Sequence, residues 1–90
     1  MPIRILIYCK QGEGTGTAVM NQIRALISEM KADATLQLIM DESMHAANGV
    51  ESTPAISVDG LMVANGWVPS RQEMRRAIET RIEGPTKEYY

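Results

Sequence analysis

The dipeptide Asp59-Gly60 lies between two short apolar runs, AISV at 55–58 and LMVA at 61–64. Asp-Gly is one of the few pairs that accepts positive φ at both central positions of a two-residue turn. The two runs therefore read as the arms of a tight antiparallel hairpin. A lone hairpin is marginal in water, so this one must belong to a larger sheet with a buried face. Pro54 stands at the head of the first arm. Proline has no N–H to give to a ladder, and the first residue of a strand is where that loss does least harm. The arm begins at 55, and the chain enters it through a Thr53-Pro54 turn.

The rest of the chain supplies that sheet. IRILIYC at 3–9 is apolar and rich in β-branched residues. Its two faces, Ile3/Ile5/Ile7/Cys9 and Arg4/Leu6/Tyr8, make it a strand buried on at least one side. KQGEGTGT at 10–17 is a loop, with three glycines in close succession, and Thr17 can cap the helix after it. Met20, Ile23, Ile27 and Met30 recur at helical spacing, widened by Val19 and Leu26, so 17–31 is an amphipathic helix. ATLQLIM at 34–40 alternates and reads as a second strand. Residues 41–49 hold a short helical turn ended by Asn48-Gly49. Pro69 and the capping box Ser70-Arg71-Gln72-Glu73 open a last helix, whose stripe is Met74, Ala77, Ile78 and Ile82. It ends near Gly84-Pro85.

The order is β-α-β, a connector, then β-β-α. A strand-helix-strand unit joins parallel strands and the hairpin joins antiparallel ones, so the fold class is α/β, with a mixed four-stranded sheet packed with helices. One domain over 1–84 and a loose tail over 85–90 account for the chain.

Charge and cysteine usage narrow the function classes. A net charge of −2 gives no reason to expect nucleic acid or an anionic membrane as partner. No apolar stretch approaches transmembrane length, and nothing resembles a secretory signal. The single cysteine cannot form an internal disulfide, and no Cys/His cluster has metal-ligand spacing. A reduced, cytoplasmic setting with no cofactor is the expectation.

Four motifs occur in a fixed order: Gly49-Val50, Thr53-Pro54, Val58-Asp59-Gly60, and Gly66-Trp67-Val68-Pro69-Ser70. In this order and spacing they resemble the C-terminal half of small thioredoxin-like proteins of the redox-active disulfide group. The layout of the N-terminal half agrees, so the resemblance spans residues 3 to 82. It implies a thioredoxin-like fold in which the Thr53-Pro54 bond is cis and faces the active-site loop. It also implies that Thr53 offers its backbone to a bound peptide, so that Thr53 and Pro54 form one wall of a partner groove.

The same resemblance implies a Cys-x-x-Cys motif at the start of the first helix, where the helix N-terminus stabilises a thiolate and a second thiol resolves the mixed disulfide. Here that position falls near Glu13-Gly14-Thr15-Gly16, with neither cysteine present. A dithiol mechanism within one chain is excluded. Cys9 has two readings: a displaced catalytic thiol resolved by an external thiol, or a small apolar side chain continuing the Ile3/Ile5/Ile7 face. The glycines of the loop can direct backbone N–H groups at an anion, although Glu13 opposes one. Trp67 is either an exposed anchor for a partner or a cap on the core edge. His45 reads as a solvated side chain without companion ligands. Arg71, Arg75 and Arg76 read as a solvated basic face diluted by Glu73 and Glu79.

Three functions are compatible with these residues. The first is a binding or accessory module for a protein or peptide, using a groove made by Gly12, Glu13, Gly14, Thr15, Gly16, Thr17, Thr53, Pro54 and Trp67. The second is a monothiol disulfide oxidoreductase using Cys9. The third is a small-anion binder at the 12–17 loop. Either a monomer or a weak homodimer suits all three.

Overall fold

In a computed structural model, residues 2–12 and 14–83 are described; Glu13 and the 84–90 tail lie outside the described residues. Strand β1 (Ile3–Tyr8) leads through helix α1 (Thr15–Met30) to β2 (Ala34–Ile39). Helix α2 (Glu42–Ala47), the hairpin β3 (Ala55–Val58) and β4 (Leu61–Asn65), and helix α3 (Arg71–Glu83) complete the order. The sheet runs β2-β1-β3-β4, with β1 parallel to β2 and antiparallel to β3. This is the mixed four-stranded sheet that the order of apolar patterns predicts.

The alternation in β1 decides which face is buried. Ile3, Ile5 and Ile7 point at Val19, Ile23 and Leu26 of α1 and at Met74 and Ile78 of α3, and form one core with Ile56 and Val58. Ile5 and Ile7 are fully enclosed, and each contributes about 1.5–3 kcal/mol relative to exposure. Among the described residues the opposite face is covered at one end only. Tyr8 is buried there against His45 of α2, while Leu6 is half-buried and Arg4 exposed.

The turn between β3 and β4 takes the form that its sequence demands, with φ of +50° at Asp59 and +87° at Gly60. Asp59 also fastens β1: its Oδ1 accepts from the Arg4 amide at 2.8 Å, and its own amide donates to the Arg4 carbonyl at 2.8 Å. β4 carries a bulge, because Ile56 pairs with Ala64 and Ser57 with Met62, which leaves Val63 over.

The helix ends show one agreement and one correction. Both arms of the capping box form, the Ser70 amide donating to Glu73 Oε1 at 2.8 Å and the Glu73 amide to Ser70 Oγ at 3.1 Å. Thr17, by contrast, caps nothing. Helix α1 starts at Thr15 behind Gly14, which makes no side-chain capping bond, so Thr17 sits inside the first turn. The glycine-rich loop is shorter than composition suggests because Gly16 joins the helix. No helix of the described residues is long and apolar enough to cross a membrane.

Candidate functional site

The sheet register brings three loops to one end. Tyr8 pairs with Ala55, and Ala55 with Asn65. The chain leaving β1 at Cys9, the turn entering β3 at Pro54, and the chain leaving β4 at Gly66 therefore share one edge of the sheet. Helix α1 starts there as well, after the 10–14 loop.

Cys9 lies beneath this edge. It is 1% exposed, and its amide donates to the Ile39 carbonyl at 3.1 Å. A Cβ built on Gly16 would lie 2.4 Å from the Cys9 Sγ and 2.8 Å from its Cβ. The thiol thus occupies the space that a side chain at Gly16 would need. Glycine is required in the first turn of α1 because Cys9 fills the hole beneath it. Gly12, Gly14, Thr15 and Thr17 are exposed around this buried pair. Gly12 has φ of +90°, the left-handed region that glycine enters without penalty.

Thr53 and Pro54 are half-buried, and the peptide bond between them is cis. The Pro54 carbonyl accepts from the Gly66 amide at 2.9 Å. Gly66 has φ of +111°, and a Cβ there would come within 3.0 Å of the Ser52 Cβ. Asn65 closes the junction. Its Oδ1 accepts from the amides of Glu51 at 2.9 Å and Ser52 at 3.4 Å, and its Nδ2 donates to the Gly49 carbonyl at 3.1 Å. Sequence reasoning missed this residue. The available signal was an asparagine at a strand end directly before a glycine, where a short amide side chain commonly bonds nearby backbone. Beyond it Trp67 is 52% exposed and Val68 47%, while Pro69 is buried.

Residues 3–79 match the family model described as a thioredoxin domain. The chain belongs to the thioredoxin-domain family. Its fold is similar to that of a Staphylococcus aureus protein of unknown function, at 12% identity and a TM-score of 0.72, covering 94% of this chain and 95% of that one. It is also similar to a mutant thioredoxin from Halobacterium salinarum, at 17% identity and TM-score 0.67, covering 87% and 73%. A malaria parasite thioredoxin-2, whose structure is described as that of a component of protein secretion machinery, aligns at 16% identity and TM-score 0.67, over 88% of this chain and 82% of that one. No curated protein sequence matches the chain.

Elsewhere in this thioredoxin domain, one reading from sequence needs correction. His45 is not solvated. It is 7% exposed, its Nε2 lies 3.0 Å from the Ile39 carbonyl, and its ring meets Tyr8 edge-on with centroids 5.5 Å apart. The turn of α2, capped by the Asp41 carboxylate on the Ser43 amide at 3.0 Å, holds it over the sheet. The Ser43 hydroxyl and amide together keep the Asp41 carboxyl below its ordinary range. The arginines of α3 lie at the surface, as their run suggests, and two of them reach carboxylates. Arg71 hydrogen-bonds Glu29 of α1, and Arg75 lies 3.9 Å from Glu29 and 3.8 Å from Glu79. The hydrogen bond and charge of Arg71 hold the Glu29 carboxyl low. Such exposed pairs contribute little to stability.

Two clefts lie away from the loop edge. One of about 350 Å³ between α1 and α3 is lined by Val19, Ile23, Leu26, Pro69 and Met74. The other, about 790 Å³, opens on the far face of the sheet over Leu6, Gln37, Ser57 and Met62. Neither is lined by Thr53, Pro54 or Trp67. Among the described residues no group of three or more His, Cys, Asp or Glu is placed to hold a metal ion.

Proposed function

We propose that this thioredoxin domain is a binding module for a protein or peptide, acting through the surface that the 12–17 loop, Thr53, Pro54 and Trp67 share. The observation that carries the reading is the packing of Cys9 against Gly16. A thiol enclosed by the first turn of α1 is not presented to a disulfide, whereas catalytic thiols are at least partly exposed. The groups left at the edge suit recognition. Trp67 and Val68 offer exposed apolar area of the kind that anchors partners. Backbone at Thr53, which the family resemblance assigns to peptide pairing, offers main-chain bonds to an extended segment.

The test uses Trp67, the only tryptophan in the chain, as its reporter. Peptides selected from a displayed library on the native protein should shift Trp67 emission on titration. Trp67→Ala and Val68→Glu should lose binding of those peptides, and Cys9→Ser should keep it. In parallel, iodoacetamide should label Cys9 only after denaturation. Labelling of native Cys9 as fast as in the denatured chain, with disulfide exchange abolished by Cys9→Ser, would replace this reading with the monothiol oxidoreductase. A melting temperature that rises with phosphate or a small carboxylate, and not with peptide, would replace it with the anion binder.

A further inference from the structure

The outer edge of β2 is built differently from the other edge of the sheet. Edge strands invite pairing with another chain, and proteins usually protect them with charge, proline, a bulge or short length. β4 carries the bulge at Val63. β2 has no such device: its six residues are Ala34, Thr35, Leu36, Gln37, Leu38 and Ile39, with no charge, no proline and an unbroken register to β1.

The backbone shows which residues are free to pair outward. The Asp33 carbonyl accepts from the Ile3 amide at 2.8 Å, and the Ile39 carbonyl from the Cys9 amide at 3.1 Å. The odd-numbered residues therefore turn their polar groups toward β1. In a strand, successive residues point their N–H and C=O to opposite sides, so Ala34, Leu36 and Leu38 turn theirs toward the open edge. The side chains beside that edge are apolar and incompletely covered. Ala34, Leu36 and Leu38 of β2, with Met20, Ile27 and Met30 of α1, are all only partly buried against the core.

We infer that two copies of this chain pair β2 to β2, antiparallel, about a two-fold axis at Leu36, joining their sheets into one of eight strands. In that register Leu36 faces Leu36 of the second copy and Ala34 faces Leu38, each pair exchanging two N–H···O=C bonds. The charges flanking the strand select this orientation. Lys31, exposed and without an ion pair among the described residues, and the exposed Asp33 precede β2, and Asp41 and Glu42 come after it. Antiparallel pairing sets Lys31 of one copy toward Asp41 and Glu42 of the other at both ends, offset in part by the approach of Asp33 to the same carboxylates, whereas parallel pairing would set every flanking charge against its own kind. A self-pairing edge also needs side chains that tolerate their own kind across the axis, and an uncharged strand provides them. The axis lies on the β2 side of the sheet and leaves the Thr53, Pro54 and Trp67 surface to each copy.

The interface is a strand edge with a helix flank, at the small end of specific interfaces, so dissociation is expected between about 10 µM and 1 mM. Sedimentation equilibrium over that range should show a monomer–dimer equilibrium. Leu36→Lys, which puts like charges on the axis, should abolish it. Lys31→Glu, at an exposed position outside the strand, should weaken it about two- to tenfold, and tests the pairing even if the first variant folds poorly. Amide exchange at Ala34, Leu36 and Leu38 should slow as protein concentration rises, while that of β4 stays constant. A chain that remains monomeric throughout overturns the inference. So does a dimer in which exchange at those amides is independent of concentration.

Discussion

Replacing Gly16 with alanine should destabilise this protein, although the same change in an ordinary helix stabilises. In a helix interior alanine is favoured over glycine by about 1 kcal/mol, and φ at Gly16 is not in the left-handed region. The opposing effect is steric. A Cβ at Gly16 falls 2.4 Å from the Cys9 Sγ, 2.8 Å from the Cys9 Cβ and 3.3 Å from the Leu38 Cδ1, where unstrained heavy atoms keep about 3.5–4.0 Å. Rotating the thiol away relieves the first contact and not the second, because both Cβ atoms are fixed by their backbones. The helix start or the strand end must then move, and overpacking of this kind costs about 1–3 kcal/mol. Gly16→Ala should therefore cost up to about 2 kcal/mol in urea denaturation once its helix preference is counted. In a Cys9→Ala background the cost should fall, and in a Cys9→Gly background Gly16→Ala should become stabilising. The expected coupling energy is about 1–3 kcal/mol, the range found for residues in direct contact. Equal effects of Gly16→Ala in all three backgrounds would refute the claim that Cys9 is a packing residue of the α1 start.

Other consequences rest on single contacts. Asp59 is held below its ordinary value of 3.8, first by the Arg4 amide and then by Arg81. Its contribution is fully present above that value and is lost as pH falls through the lower folded one. Asp59→Asn should thus be less stable than the parent at neutral pH, with the gap closing as the pH of thermal denaturation is lowered below about 4. Asn65→Ala leaves the Glu51 amide and the Gly49 carbonyl without their partner, and should cost about 1–2 kcal/mol with faster amide exchange at Glu51. Ser70→Ala removes one arm of the capping box and should cost about 1 kcal/mol in chemical denaturation.

The parts of the fold legible in the sequence are those set by short-range rules. The Asp59-Gly60 turn requires two positive φ values, and the Ser70–Glu73 box satisfies its own helix end, so each could be read without knowing its neighbours. The alternation of Ile3, Ile5 and Ile7 marked the core face for the same reason. The features that escaped were set across the structure. Gly16 reads as a loop glycine until Cys9 is known to sit against it. His45 reads as polar and solvated until the Ile39 carbonyl and the Tyr8 ring are brought beside it. The run of arginines on α3 gives no hint that Glu29, on another helix, lies within reach.

The contact between Cys9 and Gly16 also bears on how the loop edge can be used. In a thiol-based site the start of the first helix must do two things at once: expose a sulfur to an incoming disulfide and stabilise it as a thiolate. Here the sulfur lies on the inner side of that turn, at Cys9, and glycine on the outer side lets the turn close over it. Bringing the Cys9 Sγ to the surface would require lifting α1 from β1. That would break the packing of Val19 and Ile23 on Ile5 and Ile7, in the best-buried part of the core. The opening would cost a large share of the stability of a domain this size, about 5–15 kcal/mol in total. Recognition of a partner by Trp67, Val68 and the Thr53 backbone requires no such opening, because those groups already stand at the surface or beside it. The arrangement therefore leaves the edge of the proposed binding role open while making thiol chemistry there energetically remote.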